Sequence, residues 1–134
     1  MSRDLLLNYF DHVEARLSQY PAFYVQQFQG TLLTPSRANL RLRVRANQVY
    51  LLAVSEAILV IEGQIIYLDY RYHFQDGENQ LIFRYDSTPH FPDLETFPHH
   101  KHLRDEVIAS QKPYLSDVLQ EVATFLDKSQ ITPS

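Results

Sequence analysis

The segment with the strongest potential for chemistry is a histidine block, residues 96–102, which reads Thr-Phe-Pro-His-His-Lys-His. Histidine has an ordinary pKa that suits proton transfer near neutral pH, and its neutral ring is also a common metal ligand. Adjacent side chains of an extended chain point apart, so His99 and His100 form a poor pair of ligands for one metal ion. The block therefore fits three interpretations: general acid–base catalysis by His99, His100 or His102, a metal site, and a solvated or purely structural loop.

A second polar group alternates with aromatic residues over residues 65–86, a pattern that predicts a β-hairpin. Its loop length predicts that Asp69 lies opposite Asp86 and that Arg71 lies opposite Arg84 on one face. On the core face the same register predicts three pairs: Tyr70 with Tyr85, Tyr72 with Phe83, and Phe74 with Leu81. Like charges opposite each other are destabilising unless diagonal ion pairs relieve them or an anion lies between the arginines. This face, which also carries His73, is therefore either an anion site or a solvated sheet surface.

Other residues could bind a substrate beside this face. Arg41, Arg43 and Arg45 occupy alternate positions of a strand pattern, at a spacing of about 7 Å that resembles the spacing of nucleic-acid phosphates. A charged edge strand is the competing interpretation. His90 follows Asp86 in a proline-containing segment that can fold back over Arg84. The sequence contains neither a glycine-rich phosphate loop nor a nucleophile elbow.

Composition narrows the class of protein. The chain has 134 residues, is 45% apolar and carries a formal net charge of −4, which predicts one folded domain over residues 1–134. There is no cysteine, so disulfides, thiolate metal sites and cysteine nucleophiles are excluded. The sequence shows no signal-peptide pattern and no apolar run of the roughly 18 residues that a membrane span needs, so we expect a cytoplasmic protein. The excess of arginine over lysine favours planar recognition of phosphate or carboxylate.

The elements that must position these residues follow from periodicity. Leu6, Phe10, Val13 and Leu17 predict an N-terminal helix that ends near residue 19, before Pro21. Strands are predicted at 22–34, 39–45, 49–55 and 58–61, with the polar pair Ser55-Glu56 separating the last two. Residues 87–112 show no period and predict an ordered loop packed on the sheet. A C-terminal helix is predicted to start at Pro113, with a frayed, flexible tail from about residue 129.

Together these elements predict an α+β fold. We expect an antiparallel sheet of about five or six strands, with the N-terminal and C-terminal helices packed on one face because each helix has a single apolar stripe. The opposite face would then be wet and would carry the arginine, histidine and aspartate side chains.

Three sequence blocks in this order resemble the TumE family of bacterial and archaeal toxin–antitoxin proteins. They are residues 70–75, residues 81–86 and the histidine block, with Pro89-His90 between the last two. The resemblance covers roughly residues 39–126 and is strongest over 66–103. It implies a small cytoplasmic toxin with ribonuclease-linked toxicity, neutralised by a cognate antitoxin. The family usually continues the position of Asp86 with Asn-Ala-Pro-His-His, whereas this chain has Phe91 at the position of the second histidine.

We therefore expect a toxin of a type II system that cleaves RNA without a metal ion or other cofactor. RNA supplies its own nucleophile, the 2′-hydroxyl, so the protein needs a base, an acid and a cation at the phosphate. The expected catalytic residues are His73, Arg84, Asp86 and one or more of His99, His100 and His102. The expected substrate-binding residues are Arg71, Lys101, His90, Arg41 and Arg43.

Two other functions fit the same residues. One is a non-catalytic binding module that blocks an RNA or protein target through the arginine face. The other is a metal-dependent nuclease whose ligands are His90, His99, His100 and His102. The expected partners are a cognate antitoxin and RNA, with no membrane, and a homodimer is compatible with the sequence.

Overall fold

The computed structural model describes residues 1–129 and contains two helices and one antiparallel sheet of seven strands. In chain order the elements are α1 (Ser2–Leu17), β1 (Phe23–Thr34), β2 (Arg37–Ala46), β3 (Tyr50–Ile61), β4 (Gln64–Gln75), β5 (Leu81–Asp86), β6 (His100–His102), β7 (Val107–Ala109) and α2 (Leu115–Ser129). Every strand pairs with its neighbours in sequence, in the order β1 to β7. The α+β prediction is confirmed, although the strand number is seven instead of five or six.

Both helices pack on the same face of the sheet and form the core with it. The predicted stripe of α1 is buried, and α2 buries the corresponding residues Leu115, Val118, Leu119, Val122 and Leu126. Alternate side chains of the central strands, such as Leu42, Tyr72 and Phe74, complete this core. Each large apolar side chain fully buried in this way stabilises the fold by about 1.5–3 kcal/mol. The other sheet face is left for polar residues.

The backbone of β1 approaches α1 closely at Gly30. A Cβ atom at this position would lie 2.6 Å from the ring of Phe10, which is closer than carbon atoms can approach without displacement. Glycine therefore allows the aromatic ring of α1 to lie directly on the strand, and this contact fixes the helix over the sheet.

The faces of the β4–β5 hairpin are confirmed, but the predicted register is wrong by two residues. Tyr72 pairs with Tyr85 and Phe74 with Phe83. One residue of the shift comes from a longer loop, in which Asn79 has a positive φ of 63°, and the other from an irregularity between Phe74 and Gln75. A shift of two keeps each side chain on its face, because side chains alternate with a period of two.

The new register removes the predicted clashes of like charge. Arg71 lies opposite Asp86 and His73 lies opposite Arg84, so Asp69 does not face Asp86 and Arg71 does not face Arg84. Opposite charges on neighbouring strands stabilise a sheet where like charges would destabilise it. The like-charge pairs that were predicted to need diagonal ion pairs or an anion are therefore absent from the hairpin.

Three further predictions are wrong in detail. β3 is one continuous strand, because Ser55 and Glu56 point to opposite faces instead of interrupting it. The segment 87–112 is not only a loop, since it contains β6 and β7. The charged-edge interpretation of the arginine strand also fails, because β2 lies between β1 and β3. The tail predicted to fray lies beyond Ser129, outside the described residues.

Within residues 1–129, neither helix combines the length and the apolar character that crossing a membrane requires.

Glu56 is a buried carboxyl in the core, and it gives the fold a pH dependence. Its two oxygens accept hydrogen bonds from Tyr9 of α1, at 2.6 Å, and from Tyr72 of β4. Burial raises the pKa of Glu56, whereas the hydrogen bonds from Tyr72 and Tyr9 and the charge of Lys112 lower it, and burial is the largest effect. Tyr67 of β4 also faces this group. The carboxyl therefore binds its proton more tightly in the folded chain than in the unfolded chain.

A raised pKa in the folded state means that the contribution of Glu56 to stability is complete below the ordinary value of 4.5 and is lost as the pH rises through the raised pKa. We expect Glu56→Gln to reduce the fall in unfolding free energy between pH 4.5 and neutrality, by about 1.4 kcal/mol for each unit of pKa shift. Urea denaturation at several pH values measures this difference. Glu14→Gln, at an exposed carboxyl of α1, is the matched control. Equal pH dependence in wild type and Glu56→Gln would contradict the prediction.

Candidate active site

Two parallel rows of polar side chains cross the sheet face opposite the helices. Cross-strand pairing runs from β2 to β6, so each row contains one residue from each of five strands. The first row is Arg41, Ser55, Arg71, Asp86 and His100. The second row is Arg43, Ala53, His73, Arg84 and His102. Because neighbouring strands lie about 4.8 Å apart, the sheet places residues that are distant in sequence side by side.

The small side chains of β3 make this face concave. Ala53 and Ser55 lie at the centre of the two rows, between the arginines of β2 and the longer side chains of β4. A cavity of about 370 Å³ opens there, lined by Gln27, Arg41, Arg43, Ser55, Arg71 and His73 among others. A second cavity of about 550 Å³ shares Arg41, Ser55 and Arg71 with the first and continues to Arg84, Asp86, His90, Phe91 and His102. We call the two cavities together the arginine groove.

The groove ends at a cluster of Asp86, His100 and His102, which we call the histidine–aspartate triad. The Nε2 atom of His100 lies 2.7 Å from Oδ1 of Asp86 and 3.0 Å from Nε2 of His102. The Nε2 atom of His102 lies 3.6 Å from Oδ2 of Asp86. His100 and His102 share a face because they are two residues apart on β6. Antiparallel pairing of β5 with β6 brings Asp86 opposite His100.

Arg84 lies between two histidines, and Asp86 fixes its position. His73 of β4 and His102 of β6 are its cross-strand neighbours on the two sides. Its Nε donates to Oδ2 of Asp86 at 3.1 Å. A guanidinium has five N–H donors, so the Nη groups of Arg84 can still donate to an anion. The arrangement presents a cation flanked by two imidazole rings.

The environment shifts the pKa of both flanking histidines downward. Burial has the largest effect on His102, where the charge of Arg84 lowers the pKa further and that of Asp86 raises it. Burial also lowers the pKa of His73, while its hydrogen bond with Gln75 raises it and the charges of Arg84 and Arg71 lower it. The Nε2–H of His73 donates to Oε1 of Gln75 at 2.8 Å, which fixes the ring orientation.

The structure divides the histidine block between the two faces of the sheet. Nδ1 of His99 lies 2.9 Å from the hydroxyl of Tyr70, and the two rings are stacked on the core side. Nζ of Lys101 donates to Glu121 of α2 at 2.7 Å. His99 and Lys101, both predicted as site residues, are therefore not brought to the groove. Every other predicted site residue lines the groove or belongs to the triad.

Phe91, which stands at the position of the second histidine of the motif, lies at the triad. Its ring centroid is 5.0 Å from that of His100 and 5.7 Å from that of His102, edge-on in both cases. The position therefore lines the site, and an apolar ring shields the imidazoles from solvent there. Ser55 is a site residue that the sequence analysis missed, because a polar pair between two apolar runs was interpreted as a break.

The fold and the site define a small α+β protein with a basic groove that leads to a histidine–aspartate triad. A family model described as Toxin TumE matches residues 13–130. The chain belongs to the TumE toxin family, as its sequence motifs predicted. No curated protein matches the chain, and no solved structure matches it either.

Proposed function

We propose that this member of the TumE toxin family cleaves RNA at the triad end of the arginine groove, without a metal ion. The position of Arg84 carries the proposal: it lies between His73 and His102 on three adjacent strands. Cleavage of an RNA phosphodiester needs a cation at the phosphate and two proton-transfer groups on opposite sides of it. In the second row, Arg84 is the proposed cation, and His73 and His102 are the proposed proton-transfer groups on either side of it.

Chemically, the 2′-hydroxyl of one nucleotide attacks the adjacent phosphorus and loses its proton to one histidine of the pair. The bond to the 5′-oxygen of the next nucleotide breaks, and this oxygen takes a proton from the other histidine. The products are a 2′,3′-cyclic phosphate and a free 5′-hydroxyl. Negative charge develops on the phosphate oxygens in the transition state, where the Nη groups of Arg84 can donate hydrogen bonds to it.

The triad orients two of these groups, Arg84 and His102, at the reacting phosphate. Asp86 accepts a hydrogen bond from the Nε–H of Arg84 and lies beside both histidines of β6. One carboxylate therefore positions the cation, Arg84, and the two imidazoles of His100 and His102. His100 is almost completely buried, with 1% of its side chain exposed, whereas His102 lines the groove. We therefore assign proton transfer to His102 and a positioning role to His100.

The rest of the groove suits the neighbouring phosphates of a single strand. Arg71 lies next to Asp86, and Arg41 lies two strands further, at about 10 Å from Arg71. Arg43 and His90 line the two cavities at its sides. Contacts of this type bind a nucleic acid through its backbone and are weakened by salt.

The decisive experiment incubates the purified protein with RNA in excess chelator and analyses the ends of the fragments. We expect cleavage to persist and to leave 2′,3′-cyclic phosphates, because the proposed chemistry uses only side chains. Loss of cleavage that added zinc or manganese restores would overturn the metal-independent mechanism. Binding of RNA with no cleavage in any buffer would instead support the non-catalytic binding module.

The proposed partner is a cognate antitoxin of a type II system, which would place an acidic segment in the arginine groove. Reversal of two charges, Arg41→Glu with Arg43→Glu, should weaken binding of RNA, of the antitoxin, or of both by at least about tenfold, because like charges repel at the contact. Affinity measurements at two salt concentrations test this prediction. Arg3→Glu on α1, far from the groove, is the control for net charge. Unchanged affinity for both ligands would show that the two arginines are only solvated.

A further inference from the structure

The histidine–aspartate triad brings potential metal-ligand atoms together at the end of the groove. Three potential ligand atoms, one from each side chain, lie within 4.8 Å of one another. Two of them are Nε2 atoms that face each other at 3.0 Å. A hydrogen bond between them needs a proton on one nitrogen only, and the carboxylate oxygen 2.7 Å from His100 competes for that proton. Three potential ligand atoms therefore converge beside the groove.

A backbone carbonyl fixes the tautomer of His100. Its Nδ1 lies 2.9 Å from the carbonyl oxygen of Pro98, and because a carbonyl can only accept, Nδ1 carries a hydrogen. With a hydrogen on Nδ1, Nε2 is the nitrogen that can bind a metal ion, and it faces Asp86 and His102. A backbone carbonyl that holds the distal nitrogen of an imidazole is the usual outer-shell partner of a metal-bound histidine.

The distances fit one metal ion. In a tetrahedral zinc site with bonds of about 2.0–2.1 Å, the ligand atoms are about 3.3 Å apart. The separations from His100 Nε2, 2.7 Å to Asp86 Oδ1 and 3.0 Å to His102 Nε2, are shorter than this value, and that of 3.6 Å from His102 Nε2 to the other carboxylate oxygen, Oδ2, is longer. Two imidazoles and one carboxylate are a donor set for zinc and similar transition metals, whereas magnesium and calcium prefer oxygen ligands throughout.

We propose that Asp86, His100 and His102 bind one divalent transition-metal ion of the zinc type. Asp86 and His102 line the second cavity of the groove, so the fourth coordination position faces that cavity. Phe91, which lines the same cavity, packs edge-on against both imidazoles. The strands of the sheet hold all three ligands, so the site needs no rearrangement of the backbone.

A bound zinc ion also affects RNA cleavage, a consequence that rests on the proposed function. A bound metal occupies Nε2 of His102, the atom to which we assign proton transfer, and it also withdraws Asp86 from Arg84. Zinc is therefore an inhibitor of RNA cleavage by this chain, and removal of the metal activates the toxin.

The test of the site measures binding of zinc alone, by calorimetry and by competition with a coloured chelator, using the full chain. We expect one zinc ion per chain, and cobalt should give the absorption of a tetrahedral complex. His102→Ala should lower the affinity at least about 100-fold, since loss of a ligand costs more than loss of an outer-shell partner. His90→Ala is the matched control, because His90 lines the same cavity but lies outside the triad.

Circular dichroism of each variant shows whether the fold is retained, and His102→Gln replaces His102→Ala if the latter unfolds. Absence of zinc binding, or an equal loss of affinity in the His90 variant, would overturn the site. This binding result stands whether or not the protein cleaves RNA. In the activity measurement, inhibition at the zinc concentrations that saturate the site supports the regulatory role. Stimulation or no effect of zinc would overturn that role while the site itself is retained.

Discussion

Arg84→Ala is expected to lower RNA cleavage about 10²- to 10³-fold and to abolish growth inhibition by the expressed toxin. The size follows from the loss of a charged donor at the position where negative charge develops in the transition state. The fold should survive, because Arg84 projects from the sheet face opposite the core and is 23% exposed. Single-turnover cleavage rates and colony counts in cells that lack the antitoxin measure the effect.

The matched control for this change is Arg104→Ala. Arg104 pairs with Asp76 at 3.5 Å near the hairpin loop, is 58% exposed and does not line the groove. Its removal should leave cleavage and toxicity at the wild-type level. A melting temperature recorded for each variant separates chemistry from stability. Full toxicity of Arg84→Ala would show that the cluster is structural, and loss of toxicity only together with unfolding would contradict the assigned role.

His102→Ala is expected to have the other large effect, a loss of about 10²- to 10⁴-fold in the cleavage rate, which is the usual contribution of a proton-transfer group. Binding of RNA should change much less, because the groove arginines remain. The separation of rate from affinity therefore tests proton transfer directly. An equal decrease in affinity and rate would instead indicate that His102 only holds the substrate.

The histidine block offers its own control. His99→Ala removes a histidine three positions away that contacts Tyr70 on the core side. It should lower the melting temperature, because a partly buried hydrogen bond and a ring contact are lost, while the cleavage rate per folded molecule stays the same. Comparable catalytic losses in the His99 and His102 variants would contradict the division of the block between two faces.

Much of this architecture follows from periodicity in the sequence. The two helical stripes and the alternation in β2, β4 and β5 predict which side chains enter the core, and these predictions hold because alternation depends only on local backbone geometry. The faces of Arg71, His73, Arg84 and Asp86 were predictable for the same reason. So was the family, through three motif blocks that remain in order.

The sequence did not predict how the strands pair with one another in the sheet. The hairpin register depends on an irregularity at Phe74 and on the loop conformation, neither of which has a composition signature strong enough to fix it. β6 has three residues, which is too short for any period to show. Glu56 violates the rule that carboxyls avoid the core, and only the tyrosines from distant elements make its burial favourable.

The separation of His99 from His102 onto opposite faces follows from strand geometry once this segment is known to be extended. The alternation of side chains already separates His99 from His100 in an extended segment, but residues 87–112 show no period and predict an ordered loop, in which the rule does not assign faces. Pairing of β5 with β6 makes the rule apply, because it imposes an extended conformation on residues 100–102. The division of roles within the block therefore comes from a tertiary contact.

The strictly sequential order of the strands also bears on how the chain folds during synthesis. Each strand pairs with the one before it, so contacts are local and the sheet can grow from its N-terminal hairpin as the ribosome releases it. The arginines of β2 and β4 then emerge from the ribosome before residues 100–102 do. A nascent or truncated chain that stops before β6 carries the basic surface but lacks both histidines of the triad. The proposed catalytic residues are thus completed late, after the arginines proposed to bind the antitoxin have emerged.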